Sequence, residues 1–120
     1  MFIRSMVSLV VVFCVMAAKA GDLPAAHHAS PDQYQLLLET DDVLVLKMVL
    51  QPGEQDTAHS HHNETVYFQK GGTLKISEPG KGAMEVAVPD GHVMWHKAWN
   101  HQVTNIGDSE VVAIIVEQKP

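Results

Sequence analysis

The stretch Ala58-His59-Ser60-His61-His62-Asn63-Glu64-Thr65-Val66-Tyr67-Phe68-Gln69 decides how this chain folds. Residues two apart lie on opposite sides of a helix but on the same face of a strand, so His59 and His61 converge on one ion only if the backbone is extended. Turn signals on both sides support the strand: Gln51-Pro52-Gly53 precede it and Gly71-Gly72 follow. If the strand runs regularly, Thr65, Tyr67 and Gln69 share the face of His59 and His61.

The rest of the chain repeats that texture. Short apolar or alternating runs predict strands over 34–38, 43–50, 65–69, 73–77, 83–88, 92–95, 101–104 and 110–117. Glu78-Pro79-Gly80-Lys81-Gly82, Pro89-Asp90-Gly91 and Asn105-Ile106-Gly107-Asp108 supply further turns between them. No stretch between turn signals keeps a helical period. About eight strands at this spacing predict an all-β sandwich or barrel occupying residues 34–120. Residues 21–33, with two prolines and no periodicity, read as a flexible lead; the adjacent His27 and His28 are expected to be solvated there.

At the N-terminus, Arg4, the apolar run from Met6 to Ala18 and the small residues Ala18 and Ala20 match a cleaved signal peptide over residues 1–20. The apolar run is shorter than the roughly 20 residues of a membrane span. Phe13 before Cys14 does not suit lipid attachment. The expected mature chain is therefore exported, secreted or periplasmic, starts at Gly21 and contains no cysteine.

Of 120 residues, 46% are apolar and 18% charged, a composition suited to one globular domain with a core. Eight Lys and Arg stand against 14 Asp and Glu, giving a formal charge of -6; loss of Arg4 and Lys19 takes it to -8. This balance argues against nucleic acid as a partner and, after signal cleavage, against an anionic membrane surface. Eight histidines, as many as Lys and Arg together, point to metal or proton chemistry.

A third nitrogen donor is available about forty residues beyond the His59/His61 pair, at His101 in Trp99-Asn100-His101-Gln102-Val103-Thr104-Asn105. Three imidazoles with coordination positions left over suit one divalent first-row ion (Fe, Mn, Zn, Ni or Cu) at a site that also takes water or substrate.

Gly53, His59-x-His61, the following acid and Gly71-Gly72 resemble the first motif of the cupin superfamily, and the segment from Pro89 to Asn105, with His101, resembles the second. Val66-Tyr67, Trp95 and Val103-Thr104-Asn105 are similar to further positions of its small single-domain members. The resemblance runs from about Tyr34 to Lys119 and implies a small antiparallel jelly-roll barrel. It also implies metal ligands at His59, His61 and His101, with Glu64 as a fourth candidate. The family's glutamate stands where this chain has Thr65, so Glu64 joins the site only if a bulge turns it inward. The second motif lacks the family's Pro and Gly, which places His96 near the mouth as a substitute ligand or base.

The superfamily implies either a metal-dependent dioxygenase, isomerase or lyase acting on a small organic molecule, or a non-enzymatic metal- or small-ligand-binding barrel, with a metal-free structural or interaction module as the third alternative. Nothing in the chain resembles a Ser-His-Asp triad, a phosphate loop or a nucleotide fingerprint. Tyr67 is expected as a core tyrosine, Trp95 and Trp99 either as walls of a ligand pocket or in the core and at the rim respectively, and Met48, Met84 and Met94 as core filling. His62 and His92 are expected to be exposed. The apolar run 34–38 is expected at a sheet edge, where pairing would give a homodimer.

Overall fold

Strand β2 (Val43–Leu50) alternates buried Leu44, Leu46, Met48 and Leu50 with half-buried partners, the period-two pattern of a sheet with one face on the core. The computed structural model of the protein describes residues 23–120; the signal-peptide and Cys14 assignments lie outside them. Around β2 are β1 (Tyr34–Glu39), β3 (His59–His61), β4 (Asn63–Lys70), β5 (Gly72–Glu78), β6 (Gly82–Val88), β7 (Val93–His96), β8 (Trp99–Asn105) and β9 (Val111–Gln118). They form two sheets, in the orders β1-β2-β9-β4-β7 and β3-β8-β5-β6, and every strand pair is antiparallel. The protein is an all-β barrel-like jelly roll, as the runs and turns predict.

The two sheets face each other across one apolar core, where Leu46, Leu50, Val66, Phe68, Leu74 and Ile115 meet. Burial of such side chains contributes about 1.5–3 kcal/mol each and dominates stability in a chain this short. Gly71 makes one close approach possible, since a Cβ there would overlap the Val88 carbonyl oxygen. Its N–H also donates to Asp90 Oδ1 at 2.6 Å, tying the β4–β5 turn to the β6–β7 turn.

The chain leaves one sheet for the other at His62. β3 pairs with β8, whereas β4 pairs with β7 and β9, and His62 belongs to neither strand. This crossing resets the alternation: in β4 the buried residues are Glu64, Val66 and Phe68, while Thr65, Tyr67 and Gln69 face out. The expectation that Thr65, Tyr67 and Gln69 share the inner face is therefore overturned. Tyr67 is a surface residue, and so are Trp95 and Met84, which were expected inside the barrel. Trp95 sits opposite Thr65 on the outer side of the sheet, and Met84 lies on the edge strand β6. Met48 is buried and Met94 packs partly buried against the core, as expected of filling residues.

Part of the lead is built into the domain. Helix α1 (Ala26–Ala29) follows Ala25, which forms a parallel bridge with Ser60, and the Ser60 N–H donates to the Pro24 carbonyl at 2.9 Å. The buried Ser30 hydroxyl accepts from the Thr57 N–H at 2.8 Å. A single helical turn is too short to show a 3.6-residue period, which is why the sequence reads as irregular there. His28 is exposed as expected, but His27 is half-buried and its Nδ1 has no hydrogen-bond partner. Among the described residues no helix is long and apolar enough to cross a membrane.

Candidate metal centre

Antiparallel pairing of β3 with β8 sets His59 directly opposite His101 and His61 opposite Trp99. The i, i+2 spacing on one strand and the opposed position on its neighbour bring three imidazoles to one point. Ring centroids are 4.7 Å apart for His59 and His61, 4.7 Å for His59 and His101, and 4.9 Å for His61 and His101. The planes meet at 84°, 82° and 89°, so each ring presents its edge to the others. One nitrogen from each lies within 4.8 Å of the other two, and all three residues are buried.

The neighbours of these rings decide which nitrogens carry hydrogen. His59 Nδ1 lies 2.8 Å from the Thr57 carbonyl oxygen, which can only accept, so Nδ1–H donates. His61 Nδ1–H donates to Glu117 Oε2 at 2.9 Å. Glu117 is held in turn by the His62 N–H, which donates to Oε1 at 2.8 Å. Both imidazoles then present a lone pair at Nε2, and these two nitrogens are 3.0 Å apart. Two lone pairs at that distance repel unless a cation lies between or beside them. His101 adds two buried ring nitrogens with no partner at all. Burial pulls His61 and His101 well below 6.5, with the other imidazoles of the cluster adding to the effect, so a proton is a poor candidate for that cation. The donor set fits a divalent metal.

Glu64 reaches the site by the phase reset at His62, but its carboxyl lies on the far side of His61. Oε2 is 3.3 Å from His61 Nδ1 and Oε1 accepts from Trp99 Nε1–H at 3.1 Å. The group of donor atoms that converge contains His59, His61 and His101 and does not include Glu64. Glu64 and Glu117 are cross-strand partners on the inner face of β4 and β9. Burial raises Glu64 from 4.5 to about 8, and the nearby Glu117 pushes the same way against the Trp99 hydrogen bond. Burial thus favours the neutral carboxyl in the metal-free site.

Of the two positions expected for Trp99, the structure shows the pocket wall and not the rim: it is buried beside the histidines and lines the cavity, and His96 stacks on its ring at a 3.5 Å centroid distance and 17°. His96 stays outside the cluster, with Nδ1 turned to the Lys97 carbonyl at 2.6 Å. His62 is half-buried and His92 exposed. Asn105, the last residue of the second motif, is a structural anchor. Its Nδ2 donates to the Leu50 and Ser109 carbonyls at 2.9 and 2.8 Å, closing the loops below the site.

Three buried polar residues of the site escape a reading by spacing: Glu117, Asp56 and Tyr34. Tyr34 OH donates to Asp56 Oδ2 at 2.6 Å, and Val103 N–H donates to Asp56 Oδ1 at 2.8 Å. Asp56 Oδ2 lies 3.7 Å from His59 Nδ1 and Tyr34 meets the His59 ring edge-on. The one signal for Glu117 is an acid at an inward position of the apolar strand Val111–Gln118. A cavity of about 40 Å³ adjoins His61, His101, Glu64 and Trp99, its remaining wall apolar.

Two facing antiparallel sheets with this strand order and an inward histidine cluster make up the cupin fold, the double-stranded β-helix. Among solved structures the chain is similar to a cupin domain from Bordetella pertussis, at 22% identity and a TM-score of 0.68, over 82% of this chain and 97% of that one. It is also similar to a protein with a double-stranded β-helix domain from Klebsiella pneumoniae, at 20% identity and a TM-score of 0.59, over 74% of this chain and 79% of that one. An RmlC-like cupin family protein from Methanocaldococcus jannaschii matches at 16% identity and a TM-score of 0.58, over 95% of this chain and 93% of that one. No family model and no curated protein sequence matches the chain.

Proposed function

We propose that the protein is an exported metal-binding cupin that holds one divalent first-row ion on His59, His61 and His101. The observation that carries this reading is the 3.0 Å approach of two Nε2 atoms whose rings are both locked with hydrogen on Nδ1. A divalent ion at three imidazoles supplies a Lewis-acidic centre with positions left for water or a small ligand. The cavity of about 40 Å³ is far below the roughly 300–1,000 Å³ of pockets for larger organic ligands. That size favours binding of the ion with a ligand of a few heavy atoms over chemistry on a bulky substrate. The Glu64 carboxyl lines the same cavity and is a polar group that such a ligand meets.

Isothermal titration of the metal-free protein with Zn²⁺, followed by thermal unfolding, tests the site. Stoichiometric uptake and a raised melting temperature are expected at neutral pH. Each of His59→Ala, His61→Ala and His101→Ala should abolish the rise, while His28→Ala leaves it in place. No uptake by the wild type, or equal affinity in His101→Ala, would remove the proposal. Export is tested separately by intact mass, with a mature chain beginning at Gly21 expected.

A further inference from the structure

Seven of the nine large apolar side chains exposed among the described residues sit on one sheet: Leu36, Leu37 and Leu38 on β1, Tyr67 on β4, Val93 and Trp95 on β7, and Val116 on β9. Trp95 and Val93 are 55% and 59% exposed. The strand register aligns the outer face into rows that cross all five strands. One row reads Leu38, Val45, Val116, Thr65, Trp95, and the next reads Gln35, Lys47, Ile114, Tyr67, Val93. In a chain with 14 acids and a charge of -6, the outward positions of β2, β9, β4 and β7 hold no Asp or Glu. Their charges are two lysines: Lys47 and, past the bulge in β4, Lys70, which pairs with the outward Val112 and bridges to Glu110 at 3.3 Å.

We infer that two copies of the chain pack face to face through the outer surface of the β1-β2-β9-β4-β7 sheet. The other surfaces of an acidic protein repel their own copies, whereas the outward positions of β2, β9, β4 and β7 hold no carboxylate, and Glu110 at the end of this face is neutralised by Lys70. The rows are also self-complementary. A two-fold axis along β9 lays β1 over the second copy's β7 and β2 over its β4. Leu38 then covers the second copy's Trp95, Val116 meets its own equivalent on the axis, and Lys47 lies over the second copy's Tyr67 ring, a cation–π pairing. Five strands about 4.8 Å apart and three or four rows about 6.8 Å apart span about 500 Å² per copy, or about 1,000 Å² in all. That reaches the lower bound for a specific interface.

Sedimentation equilibrium of the purified protein at micromolar concentration should give twice the chain mass. Val116→Lys, which sets two ammonium groups against each other on the axis, and Trp95→Glu should each give the single-chain mass. Lys47→Glu should weaken association at least tenfold. These exposed positions lie outside the core, so each variant should keep the wild-type circular dichroism and thermal unfolding at concentrations where only single chains are present. A wild type that stays single-chain throughout, or a dimer that survives Val116→Lys, overturns the inference. A dimer lost in Leu37→Asp but kept in Val116→Lys also overturns it, in favour of pairing along the β1 edge.

Discussion

Glu117 and His61 are 56 residues apart in sequence and 2.9 Å apart in the barrel, joined by a buried hydrogen bond from Nδ1–H to Oε2. The bond turns His61 so that Nε2 faces His59 and His101, and it places negative charge behind a prospective ligand. Partners of this kind set both the tautomer and the basicity of an imidazole.

Glu117→Gln should therefore weaken Zn²⁺ binding about 10- to 100-fold, because an amide oxygen still accepts but carries no charge. Competition with a chromophoric chelator reads the constant directly. An unchanged affinity would mean that the tautomer of His61 is set elsewhere.

The metal-free protein should be least stable at both ends of the pH range. His61 and His101 titrate well below 6.5 in the folded state, so the unfolded chain binds more protons under acid conditions. Their contribution is present above 6.5 and is lost as pH falls. Glu64 has the opposite sense: raised from 4.5 to about 8, its contribution is full below 4.5 and is lost as pH rises through about 8. Glu117 and Asp56 are also raised by burial, so each loses its contribution as pH rises through its own folded value. Urea midpoints from about pH 5 to pH 9 should show the two arms. Glu64→Gln should flatten the alkaline arm and leave the acid arm; an identical slope between about pH 6.5 and pH 8.5 would contradict the assignment.

Tyr34→Phe removes the hydroxyl that caps the buried Asp56 carboxylate, leaving Oδ2 without that donor. A loss of about 1–3 kcal/mol is expected in chemical denaturation, the cost of an unmatched buried acceptor. A change under about 0.5 kcal/mol would indicate that water replaces the hydroxyl.

Gly71→Ala should be among the most damaging small substitutions, because the added methyl meets the Val88 carbonyl in the backbone and not a side chain that can swing away. About 3 kcal/mol is expected, near the upper end for overpacking. Gly53→Ala meets nothing within 4 Å and carries only the strain of its φ of 80°, so its smaller loss serves as the comparison.

Much of this architecture was legible without coordinates because it rests on local periodicity. The alternation over Val43–Leu50 and the turn residues between runs mark the strands, and the His59-x-His61 spacing requires an extended backbone. The His101 position followed from a resemblance to a two-motif pattern. What was hidden depended on which sheet each segment joins. Tyr67 and Glu64 exchange faces because the chain crosses sheets at His62, and no period within residues 63–69 reveals such a crossing. Glu117 and Asp56 were hidden for a related reason: each reaches a histidine through pairing of strands and loops distant in sequence. Trp95 misled by its type, since a tryptophan in an apolar run reads as core whether or not a second surface covers it.

The crossing at His62 makes the distance along the chain between His61 and Glu64 a counted quantity. Side-chain replacements at His62 leave the count intact, because its backbone N–H, not its ring, is what Glu117 accepts from. Removing one residue there would not trim a loop. It would invert the half of the barrel that follows, carrying Val66 and Phe68 out to solvent and Thr65 and Tyr67 in toward the core, with Glu64 turned from the histidines. In this segment the length of the spacer is under tighter physical constraint than the identity of the residue that fills it.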